Sequence, residues 1–131
     1  MTGLDTNILV RYFAQDDPIQ SPAATRIMEK GLSAANPGYI SVVAMVETVW
    51  VLDRAYGFGL GEIADAIERI LQTDTLVVEN EQEVFAAMTA LGDGRGASAD
   101  ALIGALVAKA GCSQTITFDR KAARLPGFVL A

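Results

Sequence analysis

The 131-residue chain contains no histidine and only one cysteine. Without imidazole there is no Ser-His-Asp or Cys-His nucleophilic catalysis, no histidine-ligated zinc, and no acid–base step that relies on an imidazole titrating near neutrality. Cys112 has no second thiol for an internal disulfide, and a thiolate zinc site needs a cluster. Next to Gly111 it reads as a small core residue. No apolar run approaches the length of a membrane span, and the first residues lack the basic start and cleavage site of a secretory signal. Repeats, low-complexity tracts and linkers are also absent. The expectation is a single cytoplasmic domain over residues 1–131, with 51% hydrophobic residues to supply its core. If the chain is an enzyme, carboxylates are its most plausible working groups.

Ten basic residues against 16 acidic ones give a net charge of -6, which argues at first against a polyanionic partner. The acids are unevenly spread. Between Gly61 and Glu83 there are seven (Glu62, Asp65, Glu68, Asp74, Glu79, Glu81, Glu83) and one base, Arg69; subtracting these leaves nine of each sign elsewhere. The excess therefore reads as one solvated face, and a basic rim can form on another.

The opening Gly3-Leu4-Asp5-Thr6-Asn7-Ile8-Leu9 reads as a very short strand that ends on a carboxylate and turns into a helix. On its own, Asp5 is what a helix N-cap requires. Ser21-Pro22 predicts a capped helix start, and Ala23, Ala24, Ile27 and Met28 give that helix its apolar side. Tyr39-Ile40 predicts a strand, and Ser41 a cap for a helix from about Val42 to Ala55. Within Tyr39–Leu52 the only charged side chain is Glu47, whose neighbours three and four residues away are Val43, Ala44, Trp50 and Val51. An unpaired carboxylate among apolar groups needs water, a partner or a metal, so Glu47 reads as lining a cleft. Ile63, Ile67, Ile70 and Leu71 mark an amphipathic helix, Thr75–Val78 a strand, and Val84, Phe85, Met88 and Leu91 another helix. Gly92-Asp93-Gly94-Arg95-Gly96 reads as a loop that moves or admits a ligand. Asp100 then opens a helix apolar almost all round, expected to pack on more than one side. Thr115–Phe118 predicts a strand ending on Asp119, and Phe128–Leu130 an edge strand.

Strands alternating with helices argue for a parallel sheet with helices on both faces. In such a sheet the carboxyl ends of the strands and the amino ends of the following helices share an edge, where ligands bind. Asp5 and Asp119 end strands, Asp100 opens a helix, and Glu47 lies in the first half of another. Each has a bland explanation; together they bring four acids to one edge. Four ionised carboxylates need a counter-charge, and with no histidine or cysteine pair the fitting ion is Mg²⁺ or Mn²⁺. Such a site suits phosphodiester hydrolysis, because the metal lowers the pKa of water and stabilises in-line displacement.

Leu4-Asp5-Thr6-Asn7-Ile8-Leu9, the isolated helical Glu47, Asp100-Ala101-Leu102-Ile103 and Thr117-Phe118-Asp119-Arg120-Lys121 together resemble the PIN-domain ribonucleases, in particular the VapC toxins of VapBC toxin-antitoxin pairs. The resemblance covers nearly the whole chain. It implies a PIN-like α/β/α sandwich around a central, mostly parallel sheet, a Mg²⁺- or Mn²⁺-dependent endoribonuclease, a homodimer, and inhibition by a cognate antitoxin. It further implies that Asp5, Glu47 and Asp100 are the core metal-binding acids and Asp119 a fourth, more peripheral one, with Thr6, Asn7 and Thr117 orienting ligands or water. Many relatives carry a further aspartate where this chain has Ala97, so a fifth acid is not expected.

The bases nearest the proposed edge are Arg11, Arg95, Arg120, Lys121 and Arg124, which are candidates for phosphate contacts on RNA. Trp50 and Tyr12 can stack on bases but are better explained as core or dimer-interface residues. A phosphoaspartyl phosphatase or receiver domain also places aspartate and Mg²⁺ at strand ends; the former requires Asp-x-Asp after the first strand, where this chain has Asp5-Thr6-Asn7, and the latter adjacent acids. A catalytically silent module that holds RNA or a protein on the same fold is the alternative from another functional class.

Overall fold

A computed structural model of the chain describes residues 1–94 and 98–131. The first half builds a three-stranded parallel ladder. β1 (Thr2–Gly3) pairs with β2 (Gly38–Ile40), which pairs on its other side with β3 (Leu76–Val78). Leu4 extends the first pairing through its N–H to the Tyr39 carbonyl at 2.9 Å. A Cβ on Gly38 would lie 2.8 Å from Leu4 Cδ1, 2.9 Å from Leu32 Cδ1 and 3.0 Å from Leu76 Cδ2, so only glycine lets these three leucines close over the middle strand. The second half contributes β4 (Thr115–Thr117) and β5 (Phe128–Leu130), also parallel, paired Thr115 to Phe128 and Thr117 to Leu130. The expected parallel sheet is thus present as two ladders. β1 is only two residues long, which leaves few backbone groups for a partner beyond β2.

Helices α1 (Thr6–Ala14), α2 (Gln20–Arg26), α3 (Val42–Arg54), α4 (Leu60–Leu71), α5 (Glu81–Gly92) and α6 (Ser98–Lys109) complete an α/β/α arrangement. α1 packs on α2 and α3, α3 on α4 and α6, and α5 joins α4 to α6. Their inner faces meet in one core. Leu9, Ile40, Met45, Leu52, Ile63, Ile67, Met88 and Leu102 are fully buried in it. α4 has the periodicity expected of it: Ile63, Ile67 and Ile70 point inward, while Glu62 lies outside and accepts the Gly59 N–H at 2.9 Å. Among the described residues no helix is long and apolar enough to cross a membrane.

Two local expectations are corrected. α2 begins at Gln20, ahead of Ser21-Pro22, with Ile19 as its N-cap residue, and Asp17 Oδ1 accepts the N–H groups of Ile19 (2.9 Å) and Gln20 (2.6 Å) at that start. That helix runs on into a π-helical turn over Ile27–Gly31. Cys112 is exposed and is no core residue. Gly111, at φ +96°, ends α6 in a left-handed turn in which Cys112 N–H reaches the Val107 carbonyl and Gly111 N–H that of Ala108, and the chain turns away from the core. α6 packs on both α3 and α5, as expected of so apolar a helix, and buries Ala101 and Leu102 while leaving Ile103 43% exposed.

Candidate active site

Asp5 follows β1 and is the N-cap residue of α1, its Oδ1 accepting the Thr6 N–H at 2.8 Å. The carboxylate remains exposed, so capping and exposure at the strand's end coexist in one side chain. Thr6 is buried beneath it and Asn7 is exposed beside it. The three-residue sequence therefore presents one acid and one amide at the head of a helix, where the first N–H groups also point.

Glu47 reaches the same region from α3. Two contacts fix that helix's start: Ser41 Oγ accepts the Ala44 N–H at 3.1 Å, and Glu79 Oε1, just past β3, accepts the Val42 N–H at 2.7 Å. Glu47 is exposed and lines two adjoining cavities. One, of about 380 Å³, is shared with Thr6, Asn7, Arg11, Trp50 and Tyr56. The other, of about 600 Å³, lies between α3 and α6 and is shared with Val43, Val46, Trp50, Ala99, Ile103 and Leu106. The expectation of a cleft-lining carboxylate agrees with this placement.

Asp100 sits in the first turn of α6, half-buried. Burial pushes its carboxyl pKa up, the negative charge of Asp119 adds to the rise, and Arg54 opposes it. Asp119 is held just past β4: its N–H donates to Thr117 Oγ1 at 3.0 Å, and its Oδ1 accepts the N–H of Lys121 at 2.8 Å. Thr117 thus orients the acid's backbone. Arg54 was not among the expected residues. It lies two turns after Glu47 on α3, and that spacing is the signal that could have pointed to it.

An acid whose pKa is raised on folding penalises the folded state above that raised value. The penalty disappears as pH falls through it toward the ordinary 3.8. Asp100→Asn removes the charge and keeps a polar group in the first turn. Without divalent cation at neutral pH, the variant should melt above the native chain, and the gap should close in acid. Adding Mn²⁺ should raise the native midpoint and leave the variant's nearly unmoved; differential scanning calorimetry reads both.

The bases divide into two groups. The Arg11 guanidinium is engaged, with Nη1 3.0 Å from both Asp16 carboxylate oxygens and from the Tyr56 hydroxyl, and Nε 2.9 Å from Gln20 Oε1. Tyr56 O–H in turn donates to Asp16 Oδ2 at 2.8 Å, and this bond, with Arg11's, holds the Asp16 carboxyl below its usual range. Arg11 therefore walls the smaller cavity as part of a network. Arg120, Lys121 and Arg124 are exposed and, among the described residues, make no ion pair. Arg95 lies outside the described residues, as does Ala97. Tyr12 packs at 5.5 Å from Phe13 and donates to Glu29 Oε2, a structural role, and Trp50 is 51% exposed.

Among the described residues no three acidic side chains approach closely enough to hold one metal ion. Asp100 and Asp119 face each other electrostatically, Glu47 shares its cavity with Thr6 and Asn7, and Asp5 caps the helix those two begin. The donors are all carboxylate oxygens, which suit a hard divalent cation, and a positive charge between Asp100 and Asp119 would relieve their mutual repulsion.

No curated protein and no solved structure matches the chain. A family model does: the PIN domain, over residues 4–127, a span that runs from the residue before Asp5 past Glu47, Asp100 and Asp119. With the parallel strands, the flanking helices and this match over nearly its whole length, the chain belongs to the PIN domain family and has that family's nuclease-type fold.

Proposed function

We propose that this chain is a Mg²⁺- or Mn²⁺-dependent endoribonuclease and the toxin of a type II toxin–antitoxin pair. The observation that carries the reading is the position of Glu47, whose cavities adjoin the start of α1 on one side and the start of α6 on the other. Asp5, Glu47, Asp100 and Asp119 would supply the metal's carboxylate donors, drawing closer together around it than they stand in the free chain. When bound, it supplies a lowered pKa for water and charge neutralisation at the phosphodiester. The protein's own groups do the rest. Asn7 presents a polar amide to the cavity, Thr117 fixes the loop of Asp119, and the exposed Arg120, Lys121 and Arg124 offer phosphate contacts.

The toxin role brings two partners into the reading. A cognate antitoxin covers the acidic edge, and a second copy of the chain packs against the α3–α6 face, where Val43 (72%), Trp50 (51%) and Ile103 (43%) are exposed around an apolar cavity. Cytoplasmic RNA is the target. Induced expression of the chain alone in bacteria should arrest growth, and Asp5→Asn should grow normally at the same protein level. Arrest that persists in the variant would count against a nuclease toxin.

The spread of the carboxylates favours one second reading, a PIN-fold module that binds RNA without cutting it. RNA binding that survives without any metal-dependent cleavage identifies that case.

A further inference from the structure

Phe118 is 90% exposed, more than any other large apolar side chain among the described residues, and it immediately precedes Asp119. Its backbone is pinned on the C-terminal side. Asp119 N–H donates to Thr117 Oγ1 at 3.0 Å, Asp119 Oδ1 accepts from Lys121, and Ala123 N–H reaches the Asp119 carbonyl at 3.0 Å. The ring is therefore held out from a fixed loop. The bases that follow, Arg120, Lys121 and Arg124, are exposed and make no ion pair among the described residues, in a chain whose net charge is -6.

An exposed aromatic ring followed by exposed cations is the chemistry of single-strand nucleic-acid platforms. The cations track the phosphates, and an unstacked base lies on the ring. A paired base cannot do so without leaving its helix. We infer that Phe118 is a base-stacking residue for the nucleotide beside the scissile phosphate. This rests on the nuclease reading of the adjoining acids. Ile116, two residues earlier in β4 and 65% exposed, adds to the exposed apolar surface, which makes a protein cover the competing outcome.

The test measures binding of a labelled single-stranded oligoribonucleotide and of its duplex in EDTA, for the native chain and for Phe118→Ala, Phe118→Leu and Phe118→Trp. Alanine and leucine should each weaken single-strand binding about tenfold, tryptophan should restore it, and duplex binding should stay within about twofold. Leucine keeps apolar bulk without a π-face, so leucine binding as tightly as phenylalanine overturns the inference. Equal losses on strand and duplex also overturn it, as does a change in self-association, read by sedimentation, with RNA affinity unchanged. Parallel reactions with Mn²⁺ separate the two readings. Cleavage with no dependence on Phe118 defeats stacking alone, whereas Phe118-dependent binding without cleavage defeats the nuclease alone. A native chain that binds neither RNA defeats both.

Discussion

Asp5→Asn and Glu47→Gln should each lower the proposed metal-dependent RNA cleavage by on the order of 10³-fold, corresponding to about 4 kcal/mol of lost transition-state stabilisation. The substitutions are chosen to remove charge and little else. Asp5 also caps α1 through its bond to the Thr6 N–H. Asparagine is about as good an N-cap as aspartate, so the helix should keep its start and the melting temperature should stay within a few degrees. Asp5→Ala is the informative contrast, because it removes cap and charge together and should add about 1 kcal/mol of destabilisation to the same loss of cleavage. Glu47 is exposed, and an exposed substitution usually changes stability by no more than about 0.5 kcal/mol. Cleavage within tenfold of the native rate in both variants would mean that these carboxylates do not hold the metal. Steady-state cleavage of a defined RNA, with thermal melts of the same preparations, reads both quantities.

Leu102→Ala should destabilise the fold by about 2–5 kcal/mol and lower its thermal midpoint by roughly 7–18 °C. Leu102 is fully buried where α6 meets the common core, so truncation leaves a cavity that packed neighbours on α3 and α5 close only in part. Its neighbour Ile103 is the control. At 43% exposure in the α3–α6 cavity wall, Ile103→Ala should cost far less in the monomer. Equal losses at the two positions would contradict the packing of α6 described above. Because Asp100 rides on the first turn of this helix, Leu102→Ala should also weaken cleavage at temperatures where the chain is still folded.

Those two neighbours also show where sequence was legible. Periodicity placed most elements to within a residue or two, since α3, α4, β3 and β5 have apolar patterns bounded by caps and turns that act locally. Asp5 was readable as a cap and as a strand-end acid, and it is both. The isolation of Glu47 among apolar residues pointed correctly to a cavity.

What was not legible depends on side-chain partners that periodicity does not name, whether near or far along the chain. Arg11 reads as a candidate for phosphate contacts, yet Tyr56, 45 residues away in sequence, and Asp16 engage it. α2 starts ahead of the Ser21-Pro22 signal, where the Asp17 side chain accepts the N–H groups of Ile19 and Gln20. The exposed side of α6 has the composition of a buried one, because hydrophobic content does not tell a core from a surface awaiting a partner. The distances among Asp5, Glu47, Asp100 and Asp119 depend on how four separate elements dock, which no local pattern encodes.

The most direct measurement is cleavage of total bacterial RNA by the purified chain, free of any partner, with Mg²⁺, with Mn²⁺ and with EDTA. The account predicts discrete fragments with either metal and none with EDTA, with the fragment ends naming the target sequence. Intact RNA under every condition, from a folded chain that still binds it, would contradict the nuclease and leave a binding module.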